Sequence, residues 1–256
     1  MHPDLFGFHL FGQVRVVHTY GLLLVTAGAV GCLLTAYLAP RRGVSGSDAA
    51  SVSLLGVASG LLGAGLLDAI VHWRIVISGH YVPGLVFYGG FLGAAPAVWL
   101  FARRFSISLR ALGDVASVSV PVAHAIGRMG CLFGGCCYGA PAGSWPGIIY
   151  RAPGVPATAL SRGVVPLHPV PIYEAAGLLA IAGVTATLFF REKIFKGRLR
   201  GRLFLLYLGL YGALRFSMEF LRADTERGAL GPLTTSQAVA ILVFLFAVVA
   251  WRRLDN

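Results

Sequence analysis

"DVASVSVPVAHAIGRMGCLFGGCCYG", residues 114–139, brings a long apolar run, a charge and a cluster of thiols together. The apolar run leads into Arg128. A glycine-rich turn follows, and it carries Cys131, Cys136 and Cys137, three of the four cysteines in the chain. Such a run ending in a permanent cation is what a helix would show if it crossed hydrocarbon and delivered a charge to the headgroup layer. The rest of the sequence supports that reading. Of 256 residues, 57% are hydrophobic and 12% charged, and mean hydropathy is +0.77. The charged share is about half that of a soluble domain. So little polar side chain cannot cover so much apolar surface in water.

The composition therefore predicts a polytopic membrane protein. Thirty-four glycines fit, because small residues let membrane helices approach closely. The net charge of +11 does not point to a nucleic-acid partner, since membrane proteins concentrate Lys and Arg on cytoplasmic loops. Four cysteines are too few and too unevenly placed for a disulfide scaffold. The start, "MHPDLFGFHLFGQVRVVHTYG", lacks the basic onset and small-residue cleavage site of a secretory signal and reads as mature sequence.

A helical span needs about 20 mostly apolar residues. Seven stretches qualify: 17–38, 52–73, 84–101, 113–130, 171–190, 202–221 and 235–252. The expected fold is thus an all-α polytopic membrane protein of one domain, residues 1–256, with seven transmembrane helices. With the N-terminus out and the C-terminus in, thirteen Lys and Arg fall on cytoplasmic segments and six on outer ones. That asymmetry selects this orientation. Residues 131–170, rich in Gly and Pro, then form a small extracytoplasmic lobe. The stretch "REKIFKGRLRGR" is a basic cytoplasmic loop beside anionic lipid. Pro121 lies inside the fourth span and requires a neighbour to satisfy the carbonyl it frees.

Arg128, at the end of span four, and Arg215 and Glu219, in span six, are charges at membrane depth. Each costs at least about 2.5–3.5 kcal/mol there. Arg215 and Glu219 are four residues apart and share a helical face, with Arg222 three further on. One reading is a structural ion pair between helices. The other is an anion site, in which two planar, permanently charged forks grip a phosphate and Glu219 orients Arg215 or handles a proton. Both arginines lie toward the outer ends of their spans, at the depth of a phospholipid headgroup.

Other polar residues fall on the same side. Tyr20 lies early in span one. Tyr88 precedes Gly89 and Gly90, which would let a ligand or a helix approach the backbone. His168, Tyr173 and Glu174 stand at the entrance to span five. Each taken singly also fits an interfacial anchor. Asp68 with His72, and His124 with Arg128, are spaced for hydrogen-bonded pairs. The cysteines leave four readings open: packing of a tight turn, a Cys131–Cys136 disulfide, a catalytic or acyl-carrying thiol, and a metal site completed by His124 or His168. Adjacent cysteines seldom ligate one ion, which weighs against the last. Cys32, in span one, reads as packing.

Six segments, in order, resemble the bacterial phosphatidylglycerol–prolipoprotein diacylglyceryl transferases. They are "HTYGLLL", "GLVFYGGFLG", "DVASVSVPVAHAIGRMGCLFGGCCYG", "HPVPIYEA", "YGALRFSMEFLRAD" and "LTTSQ". The resemblance covers most of the chain and implies a seven-helix body with a small periplasmic head in the bacterial cytoplasmic (inner) membrane. It implies transfer of the diacylglyceryl group of phosphatidylglycerol to the lipobox cysteine of a prolipoprotein signal peptide. A thioether forms and glycerol phosphate leaves. By position, Arg128 and Arg215 would hold the phosphate, Glu219 would hold Arg215, and Tyr20 and Tyr211 would shape the lipid site. Gly127, Gly130 and Gly139 would be the signature's backbone turns, with Gly89, Gly90 and His168 lining the phospholipid. No metal and no cofactor is implied, since the acceptor thiol belongs to the substrate.

The chain also departs from the family pattern. Tyr88 stands at the catalytic position where the family carries the histidine favoured to activate the thiol, and tyrosine, whose ordinary pKa is near 10, is a poorer base than histidine. The signature's first Asn is Cys131, its second is Gly134, and its Glu is Cys136. Phosphate binding is expected to be intact and acceptor recognition altered at Cys131 and Cys136. Two alternatives follow: a phospholipid-dependent transferase with another acceptor, and a lipid-binding or lipid-translocating protein without chemistry.

Overall fold

The computed structural model describes residues 4–10, 13–79, 84–192, 194, 197–223 and 229–255. Lys193, Lys196 and Arg227, which entered the orientation count, lie outside them. The described chain is mainly helical. Five stretches are long and apolar enough to cross a membrane: Thr19–Arg42, Gly46–Val71, Leu109–Gly134, Val170–Phe190 and Thr235–Leu254. Large apolar side chains such as Val25, Leu33, Leu62 and Leu66 point outward, as a lipid-facing surface requires. Two further helices, α4 (Phe87–Arg104) and α8 (Leu203–Glu219), coincide with the third and sixth expected spans. The last turn of α4 is Arg103–Arg104. The 17 residues of α8 rise about 26 Å, slightly less than a hydrocarbon core.

Contacts divide the chain into two units, Gly31–Ala116 and Met1–Val30 with Ser117–Asn256. Two helices, α1 (Thr19–Leu38) and α5 (Leu109–Gly134), have residues in both.

The 31–116 unit is built on α2 (Gly46–Val71) crossing α4. The first turn of α2 is polar, so apolarity alone placed its start six residues late. The Ser45 side chain accepts from the Asp48 N–H at 3.1 Å and caps it. At the crossing, a Cβ on Gly89 would lie 2.3 Å from the Gly63 carbonyl oxygen, and one on Gly63 would lie 2.4 Å from that of Gly89. Only glycine allows this approach. Gly90 likewise faces Gly60 and Ala64. A short helix, α3 (Trp73–Ile77), follows α2. Asp68 is buried, pairs with His72 at 3.3 Å, and accepts the Gly84 N–H at 2.9 Å. Arg42 and Asp114 form a buried ion pair at 3.1 Å.

The other unit begins with a hairpin that apolarity did not announce. Strands β1 (Asp4–Leu10) and β2 (Gln13–His18) pair antiparallel, from Asp4↔His18 to Leu10↔Gln13. His18 and Asp4 close its open end at 2.6 Å. Its body is α5, α7 (Val170–Phe190), α8 and α9 (Thr235–Asp255). Ala125, Ala175 and Leu178 pack with Met129, Tyr211 and Leu214 where α5, α7 and α8 meet. Pro121 has no N–H, so the Ser117 carbonyl loses its helical partner. The buried Thr185 hydroxyl of α7 donates to that oxygen at 2.8 Å, supplying what the proline required. A two-residue ladder, β3 (Ala229–Leu230) with β4 (Leu233–Thr234), precedes α9.

The segment after α5 folds into a lobe around α6 (Pro156–Ser161), with Tyr150, Val155, Ala157 and Leu167 at its centre. Burial pushes the Tyr150 phenol up to about 12. Gly139 lies where two backbones cross. Its N–H donates to the His168 carbonyl at 3.0 Å, and a Cβ there would meet His168 Cβ at 2.6 Å and the Leu221 oxygen at 2.7 Å.

Candidate active site

The signature is helical further than its glycines suggested. Helix α5 continues to Gly134, so Gly127 and Gly130 lie inside it and are not turns. The helix ends in a Schellman motif. Gly135 adopts φ +61°, its N–H donates to the Leu132 carbonyl, and the Cys136 N–H donates to the Cys131 carbonyl at 3.1 Å. Of the signature glycines, Gly139 is therefore needed for close backbone approach, and Gly130 for the Tyr20 ring. A Cβ on Gly130 would stand 3.3 Å from that ring.

Arg128 is the hub of the site. Its Nη2 meets Glu174 Oε1 at 2.7 Å, its Nε donates to His124 Nε2 at 3.2 Å, and its Nη1 points at Cys137 Sγ, 3.6 Å away. It also reaches the Tyr211 hydroxyl. Glu174 is wholly buried. Its second oxygen lies 3.9 Å from Arg222 Nη1, and Arg222 is 2% exposed. These contacts are ion pairs without aligned hydrogen bonds on the carboxylate. On α8, Arg215 pairs with Glu219 at 3.0 Å and donates to Ser236 Oγ at 3.0 Å. Arg215 Nη1 is buried with no hydrogen-bond partner among the described residues. His124 lies within the field of both Arg128 and Arg215, and its ring meets Tyr211 edge-on at 5.3 Å.

Among the described residues, Arg128 and Arg222 face Glu174, and Arg215 faces Glu219, in a largely buried setting. Arg128 and Arg215 stay 13% and 14% exposed. That suits an anion arriving from one side. Helix α8 stops at Glu219, and Arg222, three residues further on, lies 3.9 Å from Glu174. Glu174 was visible in "HPVPIYEA" as an anchor, and only the packing of α7 against α5 and against the end of α8 gives it Arg128 and Arg222. Ser236 stands in the segment "LTTSQ", but nothing local to that segment pairs it with Arg215.

Tyr88, Gly89 and Gly90 belong to the 31–116 unit. Tyr88 is exposed, and Gly89 serves the α2–α4 crossing, which is the helix-approach alternative. His168 Nδ1 stands 3.5 Å from the Tyr173 hydroxyl. Tyr20 lies against α5, close to Arg128 and the three thiols. Cys131, Cys136 and Cys137 are free thiols. The Cys131 and Cys136 thiols, with Arg222 and Arg128, hold the Cys137 thiol below the usual range. Hydrogen bonding with Cys131 and Cys137 holds Cys136 above it.

The sequence matches the model of a family described as prolipoprotein diacylglyceryl transferase over residues 7–253. It is 34% identical over 242 residues to a phosphatidylglycerol–prolipoprotein diacylglyceryl transferase of Dehalococcoides mccartyi, covering 91% of this chain and 87% of that one. It is 30% identical over 241 residues to phosphatidylglycerol–prolipoprotein diacylglyceryl transferase 2 of Clostridium perfringens, covering 92% and 90%. A Clostridium tetani relative of the same name is 28% identical over 251 residues, covering 96% and 93%.

Proposed function

The chain belongs to the prolipoprotein diacylglyceryl transferase family, and from that premise we propose that it transfers the diacylglyceryl group of phosphatidylglycerol to the lipobox cysteine of prolipoproteins. The observation that carries this reading is the pair of arginines, Arg128 and Arg215, each held by a carboxylate and 13% and 14% exposed, with Arg215 Nη1 buried and without a hydrogen-bond partner among the described residues. A buried donor left unmade is costly, and a phosphate oxygen would complete it.

Arg128 and Arg215 grip the lipid phosphate. The substrate sulfur forms its bond to the glycerol carbon as the carbon–oxygen bond to phosphate breaks. Glycerol phosphate leaves with the electron pair, and its charge rises. The thiol proton passes to that phosphate or to water, because Tyr88 is a poorer base than the histidine it replaces. Fixed guanidiniums placed where charge develops are the largest electrostatic aid such a step can receive. Glu174 and Glu219 hold the two forks in orientation.

The membrane placement belongs to the same proposal. Helices α4 and α8 join the five apolar stretches to make seven spans, with the N-terminus outside and residues 131–170 as an outer lobe in the bacterial cytoplasmic membrane. The thirteen-to-six charge asymmetry supports it. A second reading, the same lipid donor with a different acceptor, is favoured by the thiols at the positions of the family's Asn and Glu.

Purified protein incubated with phosphatidylglycerol and a lipobox peptide separates these readings. A thioether-linked diacylglyceryl peptide is expected. Release of glycerol phosphate without peptide modification selects another acceptor. Lipid binding with neither product removes the transferase.

A further inference from the structure

We propose that Cys131, Cys136 and Cys137 form a three-thiolate site for a soft d10 cation, Cu(I) or Zn(II), at the end of α5. Their sulfurs all lie within 4.8 Å of one another. Around one ion at a metal–sulfur distance of about 2.3 Å, three sulfurs stand roughly 3.8–4.0 Å apart. Side-chain rotation alone closes that difference. Soft thiolate ligands select these ions over hard cations.

The backbone explains how three thiols converge. In the Schellman motif that ends α5, Cys131 occupies the C3 position and Cys136 the C″ position. The motif presses those two side chains together, where most proteins place an apolar contact. Cys137 is adjacent to Cys136, and in an extended chain its side chain would diverge. It instead adopts φ +59°, unusual for a residue with a Cβ. That turn brings its sulfur back to the other two. The objection that neighbouring cysteines seldom share an ion is met by this left-handed residue.

The charges also fit. Each thiol loses its proton as its sulfur bonds the metal, so up to three protons are released and neither metal nor sulfur changes oxidation state. The complex carries two negative charges with Cu(I) and one with Zn(II). Arg128 Nη1, 3.6 Å from Cys137 Sγ, provides the opposite charge. All three cysteines are partly exposed, which gives an ion a route in. The site stands independently of the transferase reading. Its effect on turnover rests on that reading, because a bound complex would compete with lipid phosphate for Arg128.

The test is uptake by the full chain, purified in detergent, reduced and kept anaerobic. Cu(I) is titrated against a chromogenic Cu(I) chelator and, separately, Zn(II) against a zinc indicator. One ion per chain is expected in at least one arm, with proton release and sulfur-only coordination in the X-ray absorption spectrum. Cys131→Ser, Cys136→Ser and Cys137→Ser should each weaken binding at least about tenfold, whereas Cys32→Ser should not. If Cys131→Ser, inside the helix, folds poorly, the Cys137→Ser variant decides. Uptake unchanged in Cys137→Ser, no uptake by the reduced chain, or coordination by nitrogen and oxygen would overturn the proposal. Turnover of phosphatidylglycerol is measured apart from the metal count, so loss of activity and loss of metal binding are told apart.

Discussion

Each unit of the protein buries an arginine against a carboxylate, and the two arrangements differ. Arg42 meets Asp114 with side chains 2% and 0% exposed. Arg128 and Arg215, paired with Glu174 and Glu219, stay 13% and 14% exposed. A closed, matched pair ties helices together. A pair with a partly open side can act on an anion that enters. Burial of arginine is therefore not itself a mark of function, whereas a side left open to an arriving anion is what a binding site needs.

The matched pair should break first as a matter of stability. Asp114→Ala strands Arg42 and is expected to destabilise by about 3–5 kcal/mol, read as a fall in thermal unfolding temperature in detergent, with turnover per folded molecule unchanged. The cluster should break as a matter of chemistry. Arg128→Ala is expected to lower glycerol phosphate release by about 10²–10³-fold; full retention removes that residue from the phosphate. A control free of charges is Gly89→Ala, whose Cβ meets the Gly63 carbonyl. Overpacking of about 1–3 kcal/mol should appear as a lower melting point.

Smaller effects sharpen the contrast. Glu174→Gln keeps volume and removes the charge shared by Arg128 and Arg222. A drop in turnover of about tenfold, or about 1.4 kcal/mol, with little change in melting, would mark it as a positioning residue. A large stability loss with normal turnover would place it instead with Asp114. Thr185→Val leaves the Ser117 carbonyl beside Pro121 without its donor. It should cost about 1 kcal/mol, measured by thermal unfolding, with turnover intact.

Much of this was legible in the linear sequence. Apolar runs located the helices because crossing hydrocarbon demands length and low charge, and Arg128, Arg215 and Glu219 stood out because charge at that depth is costly. Boundaries were less legible. The start of α2 is polar and depends on the Ser45 cap, and α5 runs on to Gly134 because glycine at 135 ends a helix that Cys131 and Leu132 still continue. The partners one helical turn away were legible, Glu219 for Arg215 and His124 for Arg128, whereas the distant ones were not. Glu174 lies 46 residues after Arg128, and Ser236 lies 21 after Arg215.

By itself, the sequence determined that this chain is a membrane protein of its family, and that a glycine-rich turn with three thiols follows Arg128. Composition and ordered motifs suffice for that, because they are properties of the chain read along its length. Tertiary structure alone decided that Glu174 faces Arg128 and Arg222, that Gly89 serves a helix crossing, and that Cys131, Cys136 and Cys137 meet. Those are matters of distance between segments, set by packing and by one left-handed residue, which no local pattern encodes.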